Sequence, residues 1–241
     1  MFTPKITNMK IKFQYILSFA LIASAVSCKK DNFEEPKAAL TGRIVYQGEP
    51  LNFEYNKVSY ELYQPGFGKT GPISSIFTPE GAFSHLLFDG NYKMVVPLGQ
   101  GPFVWKQTAD GKPDSVAISL KGNTSLDIEV MPYFMIRTPA FAYSGGKVSG
   151  TCKLEQIVTG ANARTVERVT LYISKTRFAD SQTNVATANV AGSAIPDLNN
   201  VSLNVTVPAL VPAQNYVFAS IGVKFSGADD MIFSPVVKLT F

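Results

Sequence analysis

Residues 201–207 read VSLNVTV, a run in which every second residue is apolar. Residues 166–174 read VERVTLYIS and alternate in the same way from Val169 to Ile173. A period of two places one face of a β-strand in a core and the other face in water. Because the chain offers no capped helical pattern of ten or more residues, these runs predict half-buried strands of an all-β protein.

Short runs of the same kind fill the rest of the chain from residue 38 onward. Asp89-Gly90 and Lys121-Gly122-Asn123 separate neighbouring runs and predict hairpins. The polar and small residues 175–200 predict a long loop with at most one helical turn. The spacing therefore predicts two consecutive β-sandwich domains, 38–131 and 132–241. The other expected strands are 40–46, 58–63, 73–77, 82–88, 92–96, 116–120, 126–131, 147–157, 216–225 and 236–241.

The first 27 residues have the pattern of a secretory leader. Three lysines precede an apolar run at 13–26, which is shorter than the roughly 20 residues that a bilayer span needs. The run ends in Ala25-Val26-Ser27-Cys28, which resembles a lipobox. We therefore expect a lipoprotein signal peptide at 1–27 and lipidation of Cys28. The alternative is an ordinary signal peptide followed by an incidental cysteine.

Residues 28–37 form a short charged tether after Cys28. This tether resembles the lipoprotein export tag of Bacteroidota, which sends lipoproteins to the outer face of the outer membrane. The resemblance implies a chain anchored in outer-membrane lipid through Cys28 and facing the cell exterior. The alternative is a solvated linker.

The charge and the rare residues of the chain exclude several function classes. The chain has 22 basic and 18 acidic residues. Removal of the three leader lysines leaves 19 basic and 18 acidic residues, a formal charge of +1. A nearly neutral chain does not attract nucleic acid strongly. One His and two Cys exclude most metal-cluster chemistry, and no metal or cofactor is expected.

A catalytic site is not expected either. His85, the one histidine, alternates with apolar residues and is typical of a surface or inter-sheet position. The chain has no Gly-x-Ser-x-Gly motif. Asp127 and Glu129 alternate with apolar neighbours, so we expect them on the wet face of a strand. A hydrolase that uses a pair of carboxylates stays open as a third, weaker interpretation.

Short motifs spread over most of the chain resemble a known family. They are LTGRIV at 40–45, ELYQ at 61–64, GAF at 81–83, GNY at 90–92, GPF at 101–103, KGNT at 121–124 and EVMPY at 129–133. Together with the lipobox and the tether, they resemble two-domain lipoproteins of unknown function in Bacteroidota. Such proteins are typically encoded beside outer-membrane glycan importers of the starch-utilisation (Sus) type. The resemblance assigns no catalytic residues.

The resemblance implies a first domain similar to transthyretin-like or carboxypeptidase-regulatory-like sandwiches. The length of the second half is enough for an immunoglobulin-like sandwich. The implied role is accessory glycan binding, with a polysaccharide and importer subunits as partners. The alternative is a structural or assembly protein that contacts importer subunits or builds a surface appendage.

Two aromatic loops are candidates for glycan binding. Residues 99–107 read GQGPFVWKQ and contain the one tryptophan, and residues 63–69 read YQPGFGK. Aromatic rings can stack on sugar rings while neighbouring polar groups bind hydroxyls. The alternative is that Phe103 and Trp105 fold back into the core. The candidate residues are Trp105, Phe103, Gln107, Lys106, Tyr63 and Phe67.

Four smaller features carry their own expectations. Asp114-Ser115-Val116 resembles the O-glycosylation acceptor pattern of Bacteroidota at Ser115, and chance occurrence is the alternative. Cys152 is expected to be a small buried residue, with an intermolecular disulfide as a minor alternative. Asp229-Asp230 is expected in a solvated turn rather than at a weak Ca²⁺ site. The strand ending at Phe241 is expected to pair within its own sheet rather than to add to another subunit.

Overall fold

The computed structural model describes residues 34–66 and 71–241, which are almost entirely strand and turn. The described residues contain no α-helix, only two short 3₁₀ turns, Gly160–Asn162 and Gly192–Ala194. The prediction of an all-β fold with two domains is therefore confirmed. The predicted signal peptide, Cys28 and Phe67 lie outside the described residues. Within those residues, no helix is long and apolar enough to cross a bilayer.

Strands of 2 to 11 residues make up both domains. In chain order over the described ranges they are β1 (Ala38–Tyr46), β2 (Glu49–Pro50), β3 (Asn52–Phe53), β4 (Ser59–Tyr63), β5 (Ile73–Ile76), β6 (Ala82–Leu87), β7 (Gly90–Val95), β8 (Phe103–Val104), β9 (Val116–Leu120), β10 (Thr124–Ser125), β11 (Ile128–Glu129), β12 (Met131–Pro132), β13 (Phe134–Ser144), β14 (Lys147–Gln156), β15 (Val166–Ser174), β16 (Ala186–Ala191), β17 (Val201–Thr206), β18 (Tyr216–Phe225), β19 (Ile232–Phe233) and β20 (Val237–Thr240).

The first domain packs two sheets face to face. In one sheet, β1 pairs antiparallel with β2 and β6 and parallel with β10 and β11. In the other, the strand order is β5-β4-β7-β9 and all pairs are antiparallel. The inward side chains alternate along each strand, as Tyr60 and Leu62 do on β4, and form the core between the sheets.

The two predicted hairpins of this domain are wrong. β6 and β7 flank Asp89-Gly90 but lie in different sheets, and so do β9 and β10 on either side of Gly122. Both turns carry the chain across the sandwich. The turn residues specify a reversal of direction, and alternation specifies a buried face, but neither specifies which strand becomes the hydrogen-bonded neighbour.

The second domain has one three-stranded sheet and one larger sheet. The strand order of the first sheet is β13-β14-β17. In the second sheet the order begins β16-β15-β18, and both β19 and β20 pair with β18. β13 was not expected, because its first three residues are all buried and its pairing register shifts between Arg137 and Ala140. The prediction of a long loop at 175–200 is wrong, because β16 (Ala186–Ala191) lies within it. β20 pairs with β18, and the Phe241 N–H donates to Asn215 O at 2.9 Å, so the terminal strand does pair within its own sheet.

The two domains share a sheet and a core. β3 belongs to the first domain by sequence but pairs with β19 of the second, with Phe53 opposite Ile232. The Phe53 ring also lies 6.0 Å from the Phe77 ring and 5.9 Å from the Phe103 ring, centroid to centroid. Lys37–Phe241 accordingly form one compact unit. The junction between the domains is thus a fixed surface of the molecule.

The positions of Cys152 and Asp230 test two of the smaller predictions made from the sequence. Cys152 is a free thiol buried between the sheets of the second domain, as predicted, and burial raises its pKa to about 11. Asp230 corrects the expectation of a solvated turn. Its carboxylate is buried and accepts a 2.7 Å hydrogen bond from the Gly101 N–H of the first domain. Its position is set by the contact between the domains rather than by the turn sequence.

Candidate functional site

The tryptophan loop does not present its rings to solvent. Phe103 and Trp105 are only 2% and 7% exposed, and the Trp105 indole N–H donates to Asp114 O at 2.8 Å. Phe103 lies on β8, which pairs with β12 at Pro132 and holds this segment against the core. A sugar cannot stack on a ring whose faces are covered, so the core alternative describes both residues.

The remaining residues of the two predicted loops are scattered. Lys106 is exposed and pairs with Asp114 at 2.8 Å, while exposed Gln107 lies beside Phe103 and Trp105 at a cavity of about 250 Å³. Tyr63 is 38% exposed, and its hydroxyl donates to Glu61 at 2.6 Å. Tyr63 does not line that cavity, and Phe67 lies outside the described residues. The structure therefore assembles no aromatic platform from the described members of this set.

His85 and Ser115 occupy structural positions. The His85 Nε2 lies 2.6 Å from the Tyr60 hydroxyl, so the imidazole bridges the two sheets of the first domain. Burial lowers the pKa of His85. Ser115 is half-buried immediately before β9, and its N–H donates to Asp114 Oδ1 at 2.7 Å. Modification of Ser115 stays a prediction.

A partly exposed aromatic pair lies instead at the junction of the domains. Tyr55 follows β3 in the first domain, Phe178 follows β15 in the second, and their ring centroids are 4.5 Å apart. Tyr55 is 48% exposed. The pair borders a cavity of about 310 Å³, which we call the junction cleft. Residues from both domains line it, among them Asn52, Tyr55, Glu80, Arg177, Phe178 and Phe218.

Buried polar contacts hold the Phe178 segment in place. The Ser220 hydroxyl donates to Ala179 O, and the buried Glu54 carboxylate accepts both the N–H and the hydroxyl of Ser181. Asp180 accepts the N–H groups of Gln182 and Thr183 at 2.9 and 2.8 Å. These bonds fasten the segment over the outer face of β15 and β18, so the aromatic pair is positioned before any ligand arrives.

Polar groups surround the aromatic pair. The Arg177 guanidinium bonds Glu80 of the other domain at 2.7 Å, and its Cζ lies 5.9 Å from the Phe178 ring centroid. The Asn52 side-chain amide makes no hydrogen bond to another described residue. An apolar ring face beside a free amide and a planar ion pair can bind the apolar face of a sugar and its hydroxyls together.

The described residues contain no group of three or more His, Cys, Asp or Glu side chains placed to hold a metal ion. Asp127 and Glu129 lie outside the junction cleft and already have partners, because Asp127 pairs with Arg43 at 2.9 Å and Glu129 accepts the Gln47 N–H.

Sequence analysis missed the junction cleft. Tyr55 lies in the polar stretch 54–57, and Phe178 lies in the segment that was expected to be a loop. A lone aromatic residue in a polar stretch is a usable signal, since it has no local apolar face to join. The chain gives no sign that these two aromatics meet, because the β3–β19 pairing brings them together.

Comparisons with known proteins give a consistent family. Residues 38–131 match the model of the DUF3823 N-terminal domain, described as a protein of unknown function. Residues 134–238 match the model of the DUF3823 C-terminal domain, described as a domain of unknown function. No curated protein matches the chain.

Several solved structures are similar over almost their whole length. A DUF3823 family protein from Parabacteroides merdae is 34% identical, with a TM-score of 0.74 over 86% of this chain and 100% of that one. One from Bacteroides ovatus is 28% identical, with a TM-score of 0.72 over 85% and 99%. A Bacteroides uniformis structure, named a "putative carbohydrate binding protein", is 17% identical with a TM-score of 0.66 over 86% and 100%, which shows a shared fold.

Proposed function

The chain belongs to the DUF3823 family of two-domain proteins, and from that premise we propose that it binds glycan through its junction cleft. We place it as a lipid-anchored protein on the outer surface of the outer membrane. Its role there is accessory capture of glycan for a Sus-type importer. It performs no catalysis.

The Tyr55–Phe178 pair, in which Tyr55 is exposed and Phe178 is half-buried, is the observation that carries the proposal. The Tyr55 ring, half exposed beside a cavity that both domains line, offers an apolar face that a ligand can cover. Their neighbours Arg177, Glu80 and Asn52 supply donors and acceptors at the ring edge. The name of the Bacteroides uniformis relative agrees with this chemistry.

The N-terminal sequence supports the proposed location at the outer membrane. The lysine-rich start, the apolar run and the lipobox at Cys28 are the features that a lipid anchor needs, and residues 28–37 provide a charged tether. Protease shaving of intact cells should release the protein, and a Cys28→Ala variant should leave the membrane fraction. A Cys28→Ala variant whose leader has been removed and that still fractionates with the membrane would rule out the lipid anchor.

Affinity electrophoresis against a panel of polysaccharides tests the glycan proposal. We expect retardation by at least one polysaccharide, and loss of that retardation in Tyr55→Ala and Phe178→Ala. Tyr63→Ala is the matched control, because Tyr63 is an exposed tyrosine away from the cleft. Equal melting temperatures would show that the variants fold. Retardation that survives both cleft substitutions, or that occurs with no polysaccharide, would refute the proposal.

A second function, assembly with importer subunits, is favoured by a different surface. Ile73 and Ile76 on the edge strand β5, and Leu86 and Phe88 at β6, are exposed apolar side chains of the first domain. Exposed apolar residues at sheet edges are typical of protein contacts. Co-purification of an outer-membrane partner that Leu86→Asp abolishes, together with no glycan affinity, would favour this function over the first.

A further inference from the structure

A second cavity continues the junction cleft. It has a volume of about 530 Å³ and lies between β2, β3 and β13. It shares Asn52, Glu80, Phe233 and Pro235 with the junction cleft, so the two cavities adjoin along the β3–β19 pair. We call the two together the junction groove.

The two parts of the junction groove differ in chemistry. The junction cleft offers the Tyr55 and Phe178 rings, whereas the second cavity is bordered by the charged residues Arg43, Glu49 and Arg137. Pockets for small ligands measure roughly 300–1,000 Å³, so each part is of a size to take a ligand of its own. A single sugar fills at most one part, and a ligand that occupies both must be a chain of sugars.

Every arginine that lines the junction groove already has a carboxylate partner. Arg43 pairs with Asp127 at 2.9 Å, and Arg177 pairs with Glu80 at 2.7 Å. Arg137 bonds Glu155 at 2.6 Å and also contacts Glu49. The positive charge of the groove is thus balanced within the protein before a ligand binds.

This balance selects against acidic ligands. A uronate or sulfate group that binds an arginine of the groove comes to lie beside Asp127, Glu80 or Glu49, and the two negative charges repel each other. A neutral hydroxyl displaces nothing, because a guanidinium has five N–H donors and a carboxylate has several acceptor sites. The pairs are partly exposed, so hydroxyls can reach their outer edges.

Resting on the proposed function, we propose that the junction groove binds an internal stretch of a neutral polysaccharide, with one sugar on the Tyr55–Phe178 pair and further sugars beside Arg43 and Arg137. The aromatic pair supplies the first contact. The ion-paired side chains of the second cavity, Arg43, Glu49 and Arg137, then form hydrogen bonds with the hydroxyls of the sugars that follow.

Calorimetric titration of the purified protein measures both parts of this proposal. The neutral probes are gluco-, manno- and xylo-oligosaccharides of one to six units, and the acidic probes are oligogalacturonates and heparin oligosaccharides of the same lengths. We expect affinity for one neutral series to rise by about tenfold or more between one unit and the longer chains, and no binding of the acidic probes.

Variants separate the two cavities. Tyr55→Ala should abolish binding at every length. Arg43→Gln should weaken only the longer oligosaccharides, because Arg43 lines the second cavity alone. Glu49→Gln keeps the side-chain shape but removes one partner of Arg137, and should allow oligogalacturonate to bind. Lys121→Gln, at an exposed turn outside the groove, is the charge control.

The outcomes distinguish this inference from the proposed function. Neutral binding that depends on Tyr55 but is equal for one and six units, or tighter binding of the acidic probes by the unmodified protein, would overturn the inference and leave the glycan site standing. No heat of binding with any oligosaccharide, and no retardation by any polysaccharide, would overturn both.

Discussion

At the scale of single residues, exposure separates the aromatics that fold the protein from those available to a ligand. Trp105 and Tyr55 both follow short strands of the first domain, and both sit beside polar neighbours in the sequence. Trp105 is buried with its indole N–H bonded, whereas Tyr55 is half exposed against Phe178. The local pattern is nearly the same for the two residues, so the sequence alone does not show which of the two rings is exposed.

His85 should make the stability of the protein depend on pH. Burial lowers its pKa below the ordinary value of about 6.5, so between these two pKa values the unfolded chain binds the proton more strongly than the folded protein. The free energy of unfolding is therefore full above pH 6.5 and falls as the pH is lowered through this window. Urea unfolding at pH 7.5 and pH 5 measures the loss.

A His85→Gln variant is the control for this dependence. Glutamine keeps a polar partner for the Tyr60 hydroxyl but does not titrate. Its unfolding free energy should change less between the two pH values than that of the unmodified protein. An identical pH dependence in both proteins would show that His85 is not the group responsible.

Asp230 should respond in the opposite sense. Burial raises the pKa of this carboxyl, so its contribution to stability is full at low pH and is lost as the pH rises through the folded-state pKa. Asp230→Ala leaves the Gly101 N–H without its acceptor and should cost about 1–3 kcal/mol. Asp230→Asn retains an acceptor without the buried charge.

Chemical denaturation at pH 7 compares the two variants. We expect the Asn variant to be at least as stable as the unmodified protein and the Ala variant to be clearly less stable. An Ala variant as stable as the Asn variant would show that the bond between Gly101 and Asp230 does not contribute to the junction.

At the scale of elements, sequence predicted the strands better than their partners. β15, β17 and β18 match their predicted ranges because apolar residues alternate along each of them. Only β17 is half-buried as predicted, since residues 169–174 of β15 and 219–223 of β18 are buried on both faces. β13 was missed because Phe134–Ile136 are all buried and Pro139 lies within the bulge between Arg137 and Ala140. The choice of sheet at each turn depends on contacts between residues far apart in the chain, which local patterns do not contain.

Gly42 is required by the parallel pairing of β1 with β10 and β11. A Cβ at this position would lie 1.9 Å from Leu126 O and 2.5 Å from the Phe83 ring. The backbone cannot move aside, because the Leu126 N–H donates to Thr41 O at 2.9 Å. We expect Gly42→Ala to lower the melting temperature strongly, with a stability cost of several kcal/mol (~2–4).

Gly71→Ala is the matched control, since a Cβ there meets nothing within 4 Å. Its melting temperature should stay close to that of the unmodified protein when both variants are measured by circular dichroism. Equal melting temperatures for Gly42→Ala and the unmodified protein would mean that β1 tolerates a wider separation from β11.

At the scale of the whole molecule, the two domains should unfold together. β3 completes the sheet of the second domain, and one hydrophobic core runs through Phe53 into both halves. Neither half can unfold without exposing apolar surface of the other, so calorimetry should show one transition whose calorimetric and van't Hoff enthalpies agree. Two separate transitions would contradict an interlocked junction.

A fixed junction also holds together the two sides of the proposed binding groove. Tyr55 and Phe178 come from different domains, and Glu80 and Arg177 bridge them, so the site exists only while the domains are interlocked. Fold class and domain order could be predicted from alternation and turn residues. The site could not, because it is a product of the contact between domains.

Hydrogen exchange with and without a polysaccharide that binds tests the central claim most directly. Binding at the junction should slow amide exchange in residues 52–56 and 176–182, and leave residues 99–107 unchanged. Slowed exchange confined to 99–107, or no slowing at the junction despite saturation with polysaccharide, would contradict the account.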